Sequence, residues 1–345
     1  MGIDTDRSGS WSRAAATVLV AVTLLACTQA RPRPPARPQP AAAGSDEGTI
    51  ALAVTDAGLA GVPLGESEPR WVVPGAVAAP DGSAAFTAAP TSKEGTFEVA
   101  RLDLATGAGK AIGTVEGPAG LHVAAVAPEG AVLALAGPEG DATRVTEFHT
   151  LRRKAGRSWA YEGTVEPEAF SIDRNLLFAA RIYGDRYHVH GLDLTSGEQW
   201  PTSGPDKLAS PEDMYGSVVQ AALSPDGRQL ATLYRDEVSP DHSAFVHLLA
   251  LDGGLTVCVD LHEPFGTGKP GSESIIWRDD GRVAVGHWAD EPGGSAIAMF
   301  DPQKIWTGPF QEHYHADQFP DAAPPAVPYG VADTPGFRRF VALAR

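Results

Sequence analysis

The chain has 345 residues, of which 43% are hydrophobic, and it carries a formal net charge of −16. So acidic a surface repels phosphate backbones, and we therefore expect no nucleic-acid partner. The sequence also contains no phosphate loop, dinucleotide fingerprint, Cys-x-x-Cys pair or Gly-x-Ser-x-Gly elbow. No catalytic, cofactor-binding or metal-binding residue is assigned from such motifs.

The N-terminus has the features of an export signal. Residues 14–26 form an uncharged, mostly apolar run behind Arg7 and Arg13. The run is shorter than the about 20 residues that span a bilayer, but it fits a signal-peptide core. It ends in Leu24-Leu25-Ala26-Cys27, which resembles the bacterial lipobox, where cleavage precedes a cysteine that is then diacylated. We predict a signal peptide over 1–26 and lipidation of Cys27; the alternative is an ordinary secretory signal with an incidental cysteine.

The segment that follows, 27–47, predicts an extended linker. Five prolines lie between Arg31 and Pro40, and this composition favours polyproline II over a packed element. At ~3.1 Å per residue, the segment could hold a folded head up to about 60 Å from the anchor. We therefore expect one folded domain over 48–345, held at the extracytoplasmic face of the cell membrane.

A repeated hairpin dominates the remaining sequence. An apolar run, a turn such as Pro80-Asp81-Gly82 or Pro225-Asp226-Gly227, and a second apolar run recur along the chain. Pro, Asp and Gly supply the dihedrals and local hydrogen bonds of a tight turn, so each copy predicts two antiparallel strands. We interpret positions 82, 130, 174, 227, 281 and 336 as equivalent.

A second hairpin completes the repeat. Strands that end in an Asp-containing turn, such as Leu102–Gly107 and Leu192–Gly197, follow the first hairpin in most copies, although the second copy has no clear Leu-Asp turn. Two hairpins make a four-stranded blade. Five complete copies and one split between Ile50–Gly58 and Val331–Leu343 predict six blades, closed into a ring by the two chain ends. The alternative is a seventh blade in one of the longer intervals.

The Ser224–Ala231 stretch (Ser-Pro-Asp-Gly-Arg-x-Leu-Ala), followed by Leu-Asp-x-x-x-Gly turns, resembles the TolB-type β-propeller repeat over residues 48–345. The resemblance implies an all-β propeller and leaves the activity open, since propellers serve as envelope proteins, peptidases and sensors. The bias of the sequence towards arginine over lysine fits a GC-rich coding sequence of the actinobacterial type.

Two histidine pairs and one cysteine have the chemistry of a site. His188 and His190 lie two apart on a predicted strand and could grip a metal together, but a polar outer face is the favoured interpretation. His313 and His315 are interpreted as part of a solvated loop. Cys258 is expected to be a small buried side chain, and the basic run 152–154 a solvated loop.

These observations predict a monomeric, lipid-anchored propeller that binds an envelope protein or a small ligand. Loops 202–216, 235–243 and 307–329 are the predicted contact regions, because loops converge at the faces of a propeller. The rival hypothesis is a hydrolase of the lactonase or glycosidase kind, with carboxylates or a metal in the central channel. Such an enzyme would gather Asp, Glu or His side chains at the channel, whereas an interaction module would expose an apolar patch on one face.

Overall fold

The computed structural model describes residues 49–183, 186–201, 217–224, 226–235, 244–261, 273–278, 280–287, 296–309, 314–320, 334–335 and 337–344. The chain divides into two compact units, Met1–Gly44 and Ser45–Arg345, and every described residue belongs to the second. The predicted signal peptide, Cys27 and the linker lie outside the described residues. None of the helices in these ranges has the length and apolar character needed to cross a membrane.

The described elements are almost all strands. In chain order they are β1 (Ile50–Thr55), β2 (Gly58–Pro63), β3 (Trp71–Val73), β4 (Val77–Ala78), β5 (Ala85–Pro90), β6 (Thr96–Leu102), β7 (Gly109–Glu116), β8 (His122–Val126), β9 (Val132–Glu139), β10 (Ala142–His149), β11 (Lys154–Glu162), β12 (Thr164–Phe170), β13 (Leu176–Tyr183), β14 (Arg186–Asp193), β15 (Gln199–Pro201), β16 (Ser217–Leu223), β17 (Gln229–Arg235), β18 (Ala244–Ala250), β19 (Thr256–Leu261), β20 (Glu273–Trp277), β21 (Val283–His287), β22 (Ala296–Phe300), the short helix α1 (Pro302–Thr307), β23 (Tyr314–His315), β24 (Asp317–Pro320) and β25 (Phe337–Leu343).

These strands form six sheets of four antiparallel strands, one of which gains a fifth, parallel edge strand, so the predicted six-bladed β-propeller is confirmed. Blade 1 contains β4–β7, blade 2 β8–β11, blade 3 β12–β15, blade 4 β16–β19, blade 5 β20, β21, β22 and β24, and blade 6 β25 with β1, β2 and β3. Buried clusters join blades 6 and 1, 1 and 2, 2 and 3, 3 and 4, and 4 and 5. Strand β25 contacts β20, which brings blade 6 against blade 5 and completes the ring.

The hairpin between the first two strands of a blade has the geometry that the repeat predicts. Gly82, Gly227 and Gly281 have φ values of +70°, +70° and +81°. In each turn the preceding aspartate accepts a hydrogen bond of 3.1 Å from the backbone N–H two residues later. Blade 3 makes the same turn with Arg174 in place of glycine, at φ +61°. The local chemistry of the turn, rather than long-range packing, therefore sets this part of the blade.

Replacing Gly227 with valine should destabilise the protein by about 1–3 kcal/mol, because a β-branched residue adopts positive φ only with strain. A Cβ at this position meets no atom within 4 Å, so the cost comes from the backbone alone. The matched change is Arg174→Gly, which should stabilise by about 0.5–1 kcal/mol at the equivalent turn. Urea unfolding of both variants measures the sign of each change in the free energy of unfolding. An unchanged midpoint for Gly227→Val would contradict the prediction.

The chain ends close the ring, but with a different division of strands from the one predicted. Strand β25 pairs with β1 from Ala51↔Leu343 to Thr55↔Phe337. It also contacts β16 and β20, the first strands of their blades, so it is the inner strand of blade 6. The N-terminus thus supplies three strands rather than one hairpin. Position 336 lies outside the described residues. Its predicted equivalence with the hairpin glycines is wrong, because those glycines lie between the first and second strands of a blade, whereas position 336 precedes the first strand.

Blade 5 departs from the repeat after its third strand. The Asp301 carboxylate accepts a hydrogen bond of 3.0 Å from Gln303 N–H and caps helix α1, where the repeat predicts an immediate turn. The fourth strand, β24, then falls within 307–329, which was expected to be a loop. Strand β23 from the same interval pairs in parallel with β19 and covers the outer edge of blade 4. Of the other predicted loops, 202–216 lies outside the described residues, and so does 235–243 except for Arg235, which is the last residue of β17.

The two faces of the ring carry different sets of turns. We call the face that carries the turns after the first and third strands of the blades the tight-turn face. Neighbouring turns contact one another there: Glu129 N–H donates to the Asp81 carboxylate at 3.1 Å, and Ile172 N–H donates to the Leu251 carbonyl at 3.4 Å. Because Ala51 pairs with Leu343, strand β1 also begins at this face.

Candidate functional site

A β-bulge on the inner strand of blade 3 presents a glutamate to the neighbouring blade. The pairing of β12 with β13 shifts between Pro167 and Ala169, which leaves Glu168 as the extra residue. Strand β8 of blade 2 has a bulge at the equivalent place, where the extra residue is Ala124. Bulges re-aim side chains and are frequent beside functional sites. Blades 2 and 3 therefore share the backbone geometry of this bulge, but blade 3 has the carboxylate of Glu168 where blade 2 has the methyl group of Ala124.

The Glu168 side chain reaches blade 4. Its Oε1 accepts a hydrogen bond of 2.6 Å from the hydroxyl of Tyr234, whose ring stacks on Phe245 and lies edge-on to His247. Tyr234 and His247 are each 1% exposed. The second oxygen of Glu168, Oε2, is buried and has no hydrogen-bond partner among the described residues. A buried carboxylate oxygen without a partner is costly, so this atom has the character of a binding group.

The surroundings of Glu168 favour its neutral form. Burial, opposed by the hydrogen bond from Tyr234 and aided by the nearby Glu166, raises the pKa of Glu168 to about 7. The residue is half-buried as a whole, and its Oε2 atom is buried. A carboxyl group with a pKa near neutrality can donate or accept a proton in the same environment.

His247 places a neutral imidazole in the same cluster. Burial, together with the proximity of His188, lowers its pKa to about 4. Its Nδ1 has no hydrogen-bond partner in the part of the chain that the structure describes. It stands opposite Cys258 in the β18–β19 pair. Cys258 is 2% exposed, which confirms its predicted burial. We call Glu168, Tyr234 and His247 the blade 3–4 cluster.

The His188–His190 pair is not on a solvated outer face, and that interpretation was wrong. Both side chains are half-buried, and their ring centroids are 4.0 Å apart. They stand opposite Arg181 and Ala179, on the side of blade 3 that packs against blade 2. Burial is the first cause of the lowered pKa of both histidines, to about 4 for His188, and the Arg181 cation adds to it. A neighbouring cation that faces both imidazoles opposes a metal ion there.

The second histidine pair, which was interpreted as part of a solvated loop, is described only at His315, an exposed residue that lies on strand β23 rather than in a loop. His313 lies outside the described residues, and the Nδ1 of His315 lies 3.9 Å from the Asp260 carboxylate. Within the described ranges, no group of three His, Cys, Asp or Glu side chains is arranged to hold a metal.

A small pocket opens on the blade 2 side of β12, at the face opposite the tight turns. It has a volume of about 260 Å³ and lies between blades 2 and 3, where His122, Thr143 and Glu166 contribute to its wall. Glu166 is exposed and precedes Glu168 by two residues on β12. Strand β12 thus carries the Glu166 carboxylate at the pocket and the buried carboxyl group of Glu168 in the interface between blades 3 and 4.

Sequence reasoning missed the blade 3–4 cluster. Its three residues come from three strands in two blades, so no local spacing joins them. The one available signal was the comparison of repeats: Glu168 stands three residues before Ser171, where blade 2 has Ala124 three residues before Ala127. A carboxylate at an otherwise apolar repeat position marks a departure from the scaffold.

No family model matches the sequence, and no curated protein matches it. Among solved structures, the chain is similar to TolB from Acinetobacter baumannii, with 14% identity, a TM-score of 0.46, and coverage of 87% of this chain and 68% of that one. It is similar to a putative TolB from Agrobacterium tumefaciens, with 13% identity, a TM-score of 0.42, and coverage of 78% and 87%. It is also similar to a putative 6-phosphogluconolactonase from Bacteroides fragilis, with 12% identity, a TM-score of 0.43, and coverage of 75% and 79%. At these values no activity is transferred from any of them.

Proposed function

We propose that this chain is a membrane-anchored, extracytoplasmic β-propeller that binds a small polar ligand through Glu168. The observation that carries the proposal is the buried Oε2 of Glu168, which has no partner among the described residues although Tyr234 holds the other oxygen. The lipobox-like sequence at Leu24–Cys27 supports the anchored location.

The blade 3–4 cluster determines the class of ligand. Glu168 accepts hydrogen bonds when ionised and donates one when protonated, and the neutral His247 offers an acceptor nitrogen. A ligand rich in hydroxyl or amine groups satisfies both side chains. The exposed Glu166 at the neighbouring pocket adds a carboxylate suited to the same donors.

Glu168→Gln tests this binding role, since it retains the shape and the acceptor for Tyr234 but removes the ionisable group. We expect monosaccharides, polyols or primary amines to stabilise the wild-type protein in a thermal-shift screen, and Glu168→Gln to weaken that binding about tenfold. The control is Glu98→Gln, at an exposed carboxylate on β6. Equal binding by wild type and Glu168→Gln would overturn the assignment.

Changing Cys27 tests the anchor separately. Cys27→Ala should release the protein from the membrane fraction or block its processing, because no thiol remains for diacylation. Fractionation and intact mass of the mature chain provide the measurement. A variant with unchanged membrane association and unchanged mature mass would show that Cys27 is not lipidated.

The raised pKa of Glu168 favours one second candidate, a hydrolase with Glu168 as general acid. A panel of lactones and glycosides, assayed with wild type and Glu168→Gln, distinguishes it from simple binding. Catalysis requires turnover with a pH profile that inflects near neutrality and is lost in the variant, whereas a binding protein gives ligand-induced stabilisation without product.

A further inference from the structure

The turn between the third and fourth strands of blade 2 breaks the pattern of its equivalents. In blades 1, 3 and 4 a leucine occupies the second position and points inward; these are Leu104, Leu194 and Leu251. A glycine with positive φ, at 107, 197 and 254, closes each turn. Blade 2 has Thr150 at the leucine position, Leu151 at the next, and Arg153 where the others have glycine.

This substitution turns the apolar side chain outward. The Thr150 hydroxyl donates to the carbonyls of Gly130 at 2.8 Å and Ala131 at 3.1 Å, which holds the base of the turn. Leu151 then lies at the tip with 90% of its surface exposed. Arg153 adopts φ +54°, a conformation that favours glycine. The positive φ of Arg153 costs conformational energy beside an exposed leucine, and this combination points to a role of the turn at the surface.

Basic side chains surround this turn. The groove on one side is lined by Arg101, Lys110 and Arg153. The groove on the other side is lined by Arg152, Lys154 and Arg157. Each groove contains one carboxylate, Asp103 or Glu147, and Asp103 is already bonded to two N–H groups of its own turn. In a chain with a net charge of −16, this is a local concentration of cations.

The turn lies on the tight-turn face, which carries further apolar side chains. Ile172, Leu255 and Leu343 are 47%, 46% and 40% exposed and belong to turns or strand ends at this face. Strand β1 begins at the same face at Ile50, so the N-terminal segment joins the ring there. Apolar tips, clustered cations and the point of attachment therefore share one side of the ring.

We propose that the blade 2 turn of the tight-turn face docks on an anionic phospholipid bilayer, with Leu151 entering the headgroup region and the surrounding cations contacting lipid phosphates. Charge complementarity selects an anionic surface, and an exposed leucine between cations selects a lipid over a free anion, because only a bilayer offers apolar contact beneath its charges. The proposal rests on the proposed membrane anchoring for its setting, but the contacts it names are independent of Cys27.

The chain from Ser45 onward contains every described strand and lacks the apolar leader, so it isolates the face from the anchor. We expect it to sediment with vesicles of phosphatidylglycerol and phosphatidylcholine but not with phosphatidylcholine alone, and added salt should weaken the binding. Leu151→Asp and the double change Arg152→Glu with Lys154→Glu should each reduce binding about tenfold or more.

Two further variants separate binding from folding. Arg153→Gly should raise the thermal midpoint, since glycine suits the φ of that position, while it weakens vesicle binding by about threefold or more. Lys93→Glu is the control, because Lys93 lies at the opposite face in an exposed pair with Glu116. It should bind vesicles as the wild type does.

The proposal is overturned by absence of vesicle binding, by equal binding to neutral vesicles, or by an equal loss in Lys93→Glu. Competition with inorganic phosphate is the last test. If phosphate displaces the vesicles completely and Leu151→Asp has no effect, the cations form an anion site rather than a lipid-docking face. If the chain from Ser45 fails to bind vesicles while the full chain stays in the membrane fraction, the docking face is rejected and the lipid anchor is kept. If the chain from Ser45 binds vesicles and the Cys27 test fails, the anchor alone is rejected.

Discussion

Removal of residues 337–345 is expected to open the ring and leave a poorly soluble chain that unfolds early. Strand β25 is the inner strand of blade 6 and pairs with β1 along five registered positions. Without it, the edge of β1 is exposed, and the buried Ile50 and Leu52 lose one neighbour. An unpaired apolar edge templates association with other chains. The truncated protein should aggregate at concentrations at which the wild type stays in solution.

The matched control removes Arg345 alone, because Ala344 N–H donates to the Ile50 carbonyl at 2.8 Å and should be kept. A synthetic peptide of residues 337–345, added to the truncated chain, should restore solubility if strand pairing is the cause. Light scattering and thermal unfolding report both effects. A truncated protein that is soluble, monomeric and as stable as the wild type would refute ring closure by β25.

The blades were predictable because their determinants are local. Asp81, Asp226 and Asp280 each bond their own turn, and the glycines that follow adopt positive φ, so the hairpin pattern can be identified in the sequence. The division of blade 6 was mispredicted for the same reason. The Thr55–Gly58 turn resembles the aspartate turns of other blades, yet it joins the second and third strands, and only long-range pairing with β25 reveals this.

The site was not predictable, since burial and non-local contacts create its chemistry. Glu168 is an ordinary glutamate in the sequence, and its pKa rises because a bulge directs it against Tyr234 in the next blade. The exposed Leu151 had a local signal, a Leu-Asp turn missing from the second repeat. Its outward direction still required the structure, because the hydroxyl of Thr150 holds the base of the turn.

Glu168→Gln is expected to remove the loss of stability that Glu168 causes as pH rises from 4.5 to about 7. The folded-state pKa of Glu168 is raised from 4.5 to about 7, so the folded protein binds more protons than the unfolded chain between these values. Its contribution is fully present below pH 4.5 and is lost as pH rises through about 7, a change of about 3 kcal/mol in the free energy of unfolding. Urea unfolding of the variant should show no such loss.

His247 produces the opposite slope and provides the control for this prediction. Its folded-state pKa is lowered from 6.5 to about 4, so its contribution is present above 6.5 and is lost as pH falls towards 4. The half-buried His188 acts in the same direction and is more screened. The two windows overlap between pH 4.5 and 6.5, where the opposing slopes largely cancel in the wild type, so Glu168→Gln should leave a net gain of stability with rising pH there and His247→Gln a net loss. Parallel profiles for wild type and Glu168→Gln across both windows would show that Glu168 titrates as an ordinary surface carboxylate, and its proposed role as a buried ligand-binding group would fail with that result.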